Sequence, residues 1–186
     1  MTSPTIWTEE GWLYLAVVID LFNRQVVGFA MGQRMTRTLV MDALRMAWFR
    51  RHPAAGLIFN TAQYASKDFT KLLANFNMKD SMSRKGDCWD SAVTETLFGS
   101  LKVERLHGMR FSTRRQAKDE VMDWITFYNH RRLHSTLGYT SPMAFERKWL
   151  AGQISLAAQA ARQGRRGTRA RSLVSVANNC IEFGPV

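Results

Sequence analysis

The chain has 186 residues, 46% of them hydrophobic and 22% charged, which suits one domain with a real core and excludes a disordered chain. With 26 Lys and Arg against 15 Asp and Glu, its net charge of +11 favours a polyanionic partner, most often nucleic acid. The apolar run Leu13–Ile19 is far too short for a transmembrane helix, the N-terminus shows no secretory pattern, and two cysteines cannot build a disulfide framework, so a reducing, cytoplasmic setting is expected.

Residues 12–19 form an apolar, β-branched and aromatic run. Asp20–Arg24 is a turn-like break, and 25–31 resumes with Val26, Val27 and Phe29, which predicts a hairpin. From Thr36 to Arg51 the period changes. Leu39, Val40, Ala43, Leu44, Ala47 and Trp48 recur at helical spacing, Thr36 or Thr38 caps the start, and His52-Pro53 stops the helix. Gly56–Phe59 reads as a short buried strand. Ser66 caps a helix over 67–76 that turns Phe69, Leu72 and Leu73 inward. Met78–Ser91 has no period and reads as a mobile loop carrying Arg84 and Lys85. A helix is predicted from about Ala92 to Arg105, with Val93, Leu97 and Leu101 on its apolar side. Another runs from Thr113 to about Tyr128, burying Ala117, Val121, Trp124, Ile125 and Tyr128, with Ser112 or Thr113 as cap. Asn129–Ser141 is polar and basic, and a last short helix is expected near 144–150. Residues 151–186 read as a basic, disordered tail. Seven basic residues and one acid, Glu182, give 147–186 more than half of the net charge. Three strands are clear, and Thr5–Thr8 is the remnant of another. Strands mixed with helices argue for an α/β or α+β layer fold.

Four ordered segments, Glu10–Arg24, Ser81–Glu95, Phe98–Lys102 and Tyr128–Pro142, carry a resemblance. Together they resemble the integrase-type catalytic core of insertion-sequence transposases, in the retroviral-integrase-like superfamily. The resemblance extends over roughly residues 6–148 in unbroken order. It implies an α/β, ribonuclease H-like core over 1–150, N-terminally truncated and with an incomplete mixed sheet, followed by C-terminal helices and the tail. It also implies DNA cleavage and strand transfer assisted by two Mg²⁺ ions, held by two Asp on strands and one Glu on a helix. Paired metals neutralise charge on the attacking and leaving oxygens of an in-line displacement, and hard Mg²⁺ prefers carboxylate oxygens.

Glu95 matches the helix-borne Glu and is the one catalytic and metal-ligand position carried over. Helical spacing sets it on one face with Lys102, so metal and phosphate could be met together. Taken alone, Glu95 is an ordinary solvent-facing residue. The family's spacing puts the second Asp at Phe59, where the nearest polar residue is Asn60, a neutral and much poorer Mg²⁺ ligand. The first Asp falls near Ser3, beside Pro4, which suits a central strand badly. Asp20 lies on the next strand and is not one of the family's three. One carboxylate cannot hold two dications against their mutual repulsion.

The expected function is therefore a DNA-binding transposase core for DNA integration that is catalytically defective. The alternative is a non-catalytic DNA- or partner-binding remnant that modulates an active transposase. Expected partners are DNA and either a second copy of the chain or a related active transposase, with no membrane. Arg84, Lys85, Lys102, Arg131 and Arg132 are the candidate nucleic-acid contacts. Asn129–His134 either orients the core or touches DNA, and the sequence leaves both open. His130 and His134 lack the further ligands of a zinc site.

Overall fold

The unbroken apolar run at 12–19 is explained by what covers it on both sides. In a computed structural model, which describes residues 5–53, 58–60, 67–81, 88–162 and 180–183, this run is the central strand β2 (Gly11–Asp20). Its side chains alternate between two cores. Leu13, Leu15, Val17 and Ile19 face one cluster, and Ala16 and Val18 face the other. A strand buried on both faces has no polar alternation to display.

β2 pairs antiparallel with β1 (Thr5–Thr8) and with β3 (Val26–Gly32), with a register shift between Val18 and Ile19 in the second pair. The predicted hairpin is thus present. Helix α1 (Arg37–Arg51) follows, capped by the Thr36 side chain, and ends on His52 in the left-handed region ahead of Pro53. It lies so close to β3 that a Cβ on Gly28 would meet the Ala43 carbonyl oxygen and come within 2.8 Å of the Ala47 nitrogen. Strand β4 (Ile58–Asn60), helix α2 (Lys67–Asn75) and strand β5 (Lys79–Ser81) come next, with β4 and β5 parallel. Helix α3 (Cys88–Leu101) runs into a π-helical turn at Lys102–Leu106. Helix α4 (Arg114–His130) is capped by Thr113 and buries every residue the sequence assigned to its core. Helix α5 is Pro142–Arg162, and the last described strand, β6, is Cys180–Phe183.

Helices α1 and α2 cover one face of the sheet through Leu39, Val40, Ala43, Leu44, Phe69 and Leu73. On the other face, α3 and α4 bring Leu97, Phe98, Leu101, Val121, Trp124 and Tyr128 against β2. The α4 start is fastened to the β1–β2 turn, where the Glu10 carboxylate accepts from the Arg114 N–H at 2.8 Å. Phe22, between β2 and β3, packs on Phe145 and Trp149 of α5 at 5.5 and 5.3 Å between ring centroids.

Several expectations need correction. The sequence makes 78–91 a loop, but 79–81 is a strand and α3 already begins at Cys88. Strand pairing at β5 is made by backbone groups, so the polar sequence Lys-Asp-Ser does not prevent it. The helix expected over 92–105 leaves the α form after Leu101. The short helix near 144–150 is instead 21 residues long and starts at Pro142, which is tolerated at the first position because a missing N–H there costs nothing. The boundary at 150 therefore falls inside α5. The sequence also gives an incomplete sheet and a disordered 151–186. Within that segment, 151–162 is helical, and β6 lies between β2 and β4, antiparallel to the first and parallel to the second. The result is a mixed six-stranded sheet among the described residues.

Candidate functional site

Glu95 stands exposed on α3, while Leu97, Phe98 and Leu101 of the same helix are buried and anchor it. Asn60 closes β4, with Ser81 of β5 and Glu182 of β6 as its register neighbours. Ser3, Arg84 and Lys85 lie outside the described residues. Among the described residues, no three His, Cys, Asp or Glu side chains are grouped so as to hold a metal ion. The carboxylate expected on β4 is absent in any case, since β4 reads Ile-Phe-Asn. A neutral amide oxygen where the resemblance puts a carboxylate does not fit a two-Mg²⁺ centre.

Asp20, at the end of β2, is committed elsewhere. Its buried carboxylate accepts from the Phe22 N–H at 3.0 Å and from Arg51 Nη2 at 3.3 Å. Arg51 also donates to Gln25 Oε1 at 2.6 Å and pairs with Glu146 of α5. Burial raises the Asp20 pKa, against the opposing pull of Arg51 and the Phe22 N–H. The cluster ties β2, α1 and α5 together.

The 129–142 segment has a clear structural role. Asn129, buried at the end of α4, accepts from the Val26 N–H at 2.9 Å and donates to the Val26 carbonyl at 3.0 Å. Its amide thus mimics a neighbouring strand at the start of β3. Arg132 reaches the π turn, where Nε and Nη2 hold Glu104 Oε1 at 2.8 and 2.7 Å, and Nη2 donates to Ser100 Oγ at 3.0 Å. Glu104 accepts in addition from the Trp124 indole at 3.2 Å. A π turn advances fewer degrees per residue than an α turn, and this one delivers Glu104 to α4. His134 packs edge-on against Tyr128 at 4.8 Å and bridges to Thr140. So Asn129 and Arg132 orient the core, while Arg131 beside them is exposed.

The remaining candidate contacts are spread over the surface. Lys102 opens the π turn and lines a groove of about 570 Å³ with Trp7, Arg110 and Phe111. Arg131 and His130 line a larger one, of about 700 Å³, whose charge is mixed because Glu104 and Asp123 also line it. The α-helix expected to carry both Glu95 and Lys102 ends one residue before Lys102.

Two models of the integrase core domain match this chain, one over residues 2–88 and one over 95–150. The chain belongs to the integrase-core family of insertion-sequence transposases. It is 47% identical over 148 residues to the transposase InsF for insertion sequence IS3A of Escherichia coli K12, a match that covers 77% of this chain and 51% of that protein. It is 43% identical over 146 residues to the uncharacterized 31 kDa protein of insertion element IS600 from Shigella sonnei, covering 76% and 54%. The transposase core thus spans about half the length of the curated relatives it matches. The second model's stretch begins at Glu95 and holds the Asn129, Arg132 and His134 segment. No helix among the described residues is long and apolar enough to cross a membrane.

Proposed function

We propose that this chain is a DNA-binding transposase core with a ribonuclease H-like fold that does not carry out Mg²⁺-dependent cleavage or strand transfer. The observation that carries the reading is the state of the acids. Strand β4 ends on neutral Asn60, and Asp20 is tied to Arg51. Glu95 is the one family carboxylate present, and a single anion leaves two dications to repel one another. DNA affinity is supported by the +11 charge, by exposed Arg131 and by the Lys102–Arg110 groove. Arg84, Lys85 and the basic residues Arg162, Arg165, Arg166, Arg169 and Arg171 add to it through phosphate contacts, in a cytoplasmic setting where DNA is accessible. Counterion release makes such binding fall steeply with salt.

The test is a strand-transfer assay on terminal-repeat DNA with Mg²⁺, run beside a binding titration at several salt concentrations. Salt-sensitive binding without transfer products is the expected result. Robust transfer that is lost in Glu95→Gln refutes the reading. A second reading, competition with a related active transposase through a protein contact, is favoured by the Trp7–Trp12 pair. These rings meet edge-on at 4.9 Å yet remain 59% and 48% exposed.

A further inference from the structure

The packing role of the 129–142 segment leaves one polar cavity unaccounted for. Between α3, α4 and the residues after it lies a space of about 230 Å³, lined among others by Arg24, Thr96, Ser100, Tyr128, Arg132 and His134. Its walls can be assigned donor by donor.

Arg132 Nη1 lies 3.4 Å from His134 Nδ1. A guanidinium only donates, so Nδ1 accepts and the ring proton sits on Nε2. Burial, reinforced by Arg132 and Arg24 against the opposing pull of Glu104, lowers the His134 pKa to about 4, so the ring is neutral at physiological pH. The Nε2 atom is buried and has no hydrogen-bond partner, which is a costly state for a donor. Ser100 Oγ accepts from Arg132, which leaves its own proton to donate. Thr96 is different, because its hydroxyl already donates to the Ala92 carbonyl at 2.6 Å.

Arg24 supplies the charge. It sits in the left-handed region, at φ 63°, in the turn between β2 and β3, where its N–H donates to the Asp20 carbonyl at 2.7 Å. Its guanidinium has no ion pair or side-chain hydrogen bond among the described residues. It lies close enough to His134 and Tyr128 to bias both against positive charge and toward negative charge. Glu104, the acid beside this cavity, already serves Arg132 and the Trp124 indole. The cavity therefore combines, among the described residues, a cation without an ion pair and a hydroxyl free to donate, with the neutral His134 ring in its wall. Such a set is complementary to a compact anion with several acceptor oxygens.

We propose that this cavity binds a phosphate group, with Arg24 providing the charge, Ser100 Oγ–H a directional hydrogen bond, and the neutral His134 ring in the wall beside them sensing the anion. The phosphate comes either from a DNA backbone or from free inorganic phosphate. Only the first source rests on the DNA-binding reading above.

The test follows the His134 imidazole resonances by ¹H–¹⁵N NMR in the full chain, with inorganic phosphate in one titration and a short DNA duplex in another. Phosphate is expected to move the Nε2–H signal saturably. Arg24→Gln should weaken that response about tenfold or more, as loss of a charge-assisted hydrogen bond does. Arg24→Lys, which keeps the charge, should retain most of it, and Arg131→Gln all of it, with the spectra reporting that each variant is folded. If DNA moves the same signal and Arg24→Gln suppresses the effect, the backbone is the source. A response to phosphate alone also supports the cavity and makes the free anion its ligand. If neither ligand moves His134 in a chain that still binds DNA, the cavity proposal is overturned while the DNA-binding reading stands. If phosphate moves it in a chain that binds no DNA, the DNA-binding reading fails and the cavity remains.

Discussion

Asn129→Ala is expected to be among the most damaging single substitutions on the α4 side of the sheet. The side chain is 6% exposed and makes two hydrogen bonds to one residue, accepting from the Val26 N–H at 2.9 Å and donating to its carbonyl at 3.0 Å. Truncation leaves both backbone groups buried without partners, and each unsatisfied group costs about 1–3 kcal/mol. The loss should therefore be about 2–6 kcal/mol, a large part of the ~5–15 kcal/mol that holds a typical domain together. With a urea slope of roughly 1–3 kcal/mol per molar, the midpoint should fall by at least about 0.7 M at unchanged slope. Asn129→Asp separates the two bonds, since the ionised carboxylate keeps the acceptor for the Val26 N–H but has no donor for its carbonyl, whereas the protonated form has one O–H to donate. It should cost less than Asn129→Ala where the new carboxyl is protonated and more where it is ionised. A midpoint shift equivalent to under about 1 kcal/mol for Asn129→Ala would refute the reasoning. It would mean that water or a neighbouring strand end satisfies Val26 instead.

Gly28→Ala should destabilise by about 1–3 kcal/mol or more, because the added Cβ meets the α1 backbone and not a side chain that can turn away, and a lowered thermal midpoint would show it. Deleting 180–186 should unpair the backbone of Val18–Asp20 and of Ile58–Asn60 on the sides that β6 covers. Lower stability and faster aggregation by light scattering are the expected results, and an unchanged unfolding curve would mean that β6 contributes nothing. Stability should also depend on pH through His134, whose pKa falls from 6.5 to about 4 on folding. The unfolded chain binds that proton more tightly, so this contribution is complete above pH 6.5 and is lost as pH falls toward 4. His134→Gln should flatten the denaturation midpoint over that window. Asp20, raised on folding, acts with the opposite sign above 3.8, so the comparison is best made in an Asp20→Asn background.

Where burial follows a local period, the sequence is readable. Helix α4 shows this most clearly, since its inward positions recur at helical spacing and all are buried. Strand β2 is legible for another reason, because both of its faces are covered and its apolar run is unbroken. What escaped detection depends on distant partners. β6 pairs with residues some 120–160 positions earlier, and its own four residues carry no pattern that announces this. In α5, Pro142 looks like a stop but serves as a start. At the site, Arg131 and Arg132 look alike in sequence and meet opposite fates. The difference is made by Glu104, whose direction is set by the π turn, a feature without a sequence signature here. Arg24 was equally hidden, since its relevance comes from a left-handed turn that brings it to His134.

The position of Asp20 bears on whether the fold could rebuild an acidic centre from its own residues. The carboxylate is buried, and its charge is stabilised by Arg51, which also serves Gln25 and Glu146. A dication taking Asp20 as ligand would have to displace that guanidinium or sit beside it. Displacement would leave Arg51, itself mostly buried, with one acid fewer, while coexistence would place like charges together where water screens them poorly. Either course also loosens the tie between β2, α1 and α5. Asp20 is therefore held to a structural task by the same contacts that favour its charged form against burial. Glu95 is bound by no such contract, since it is exposed and its helix is anchored by other residues. Under the proposed reading, Glu95→Gln should leave stability nearly unchanged, whereas Asp20→Ala, which strands Arg51, should cost several times more in a denaturant titration.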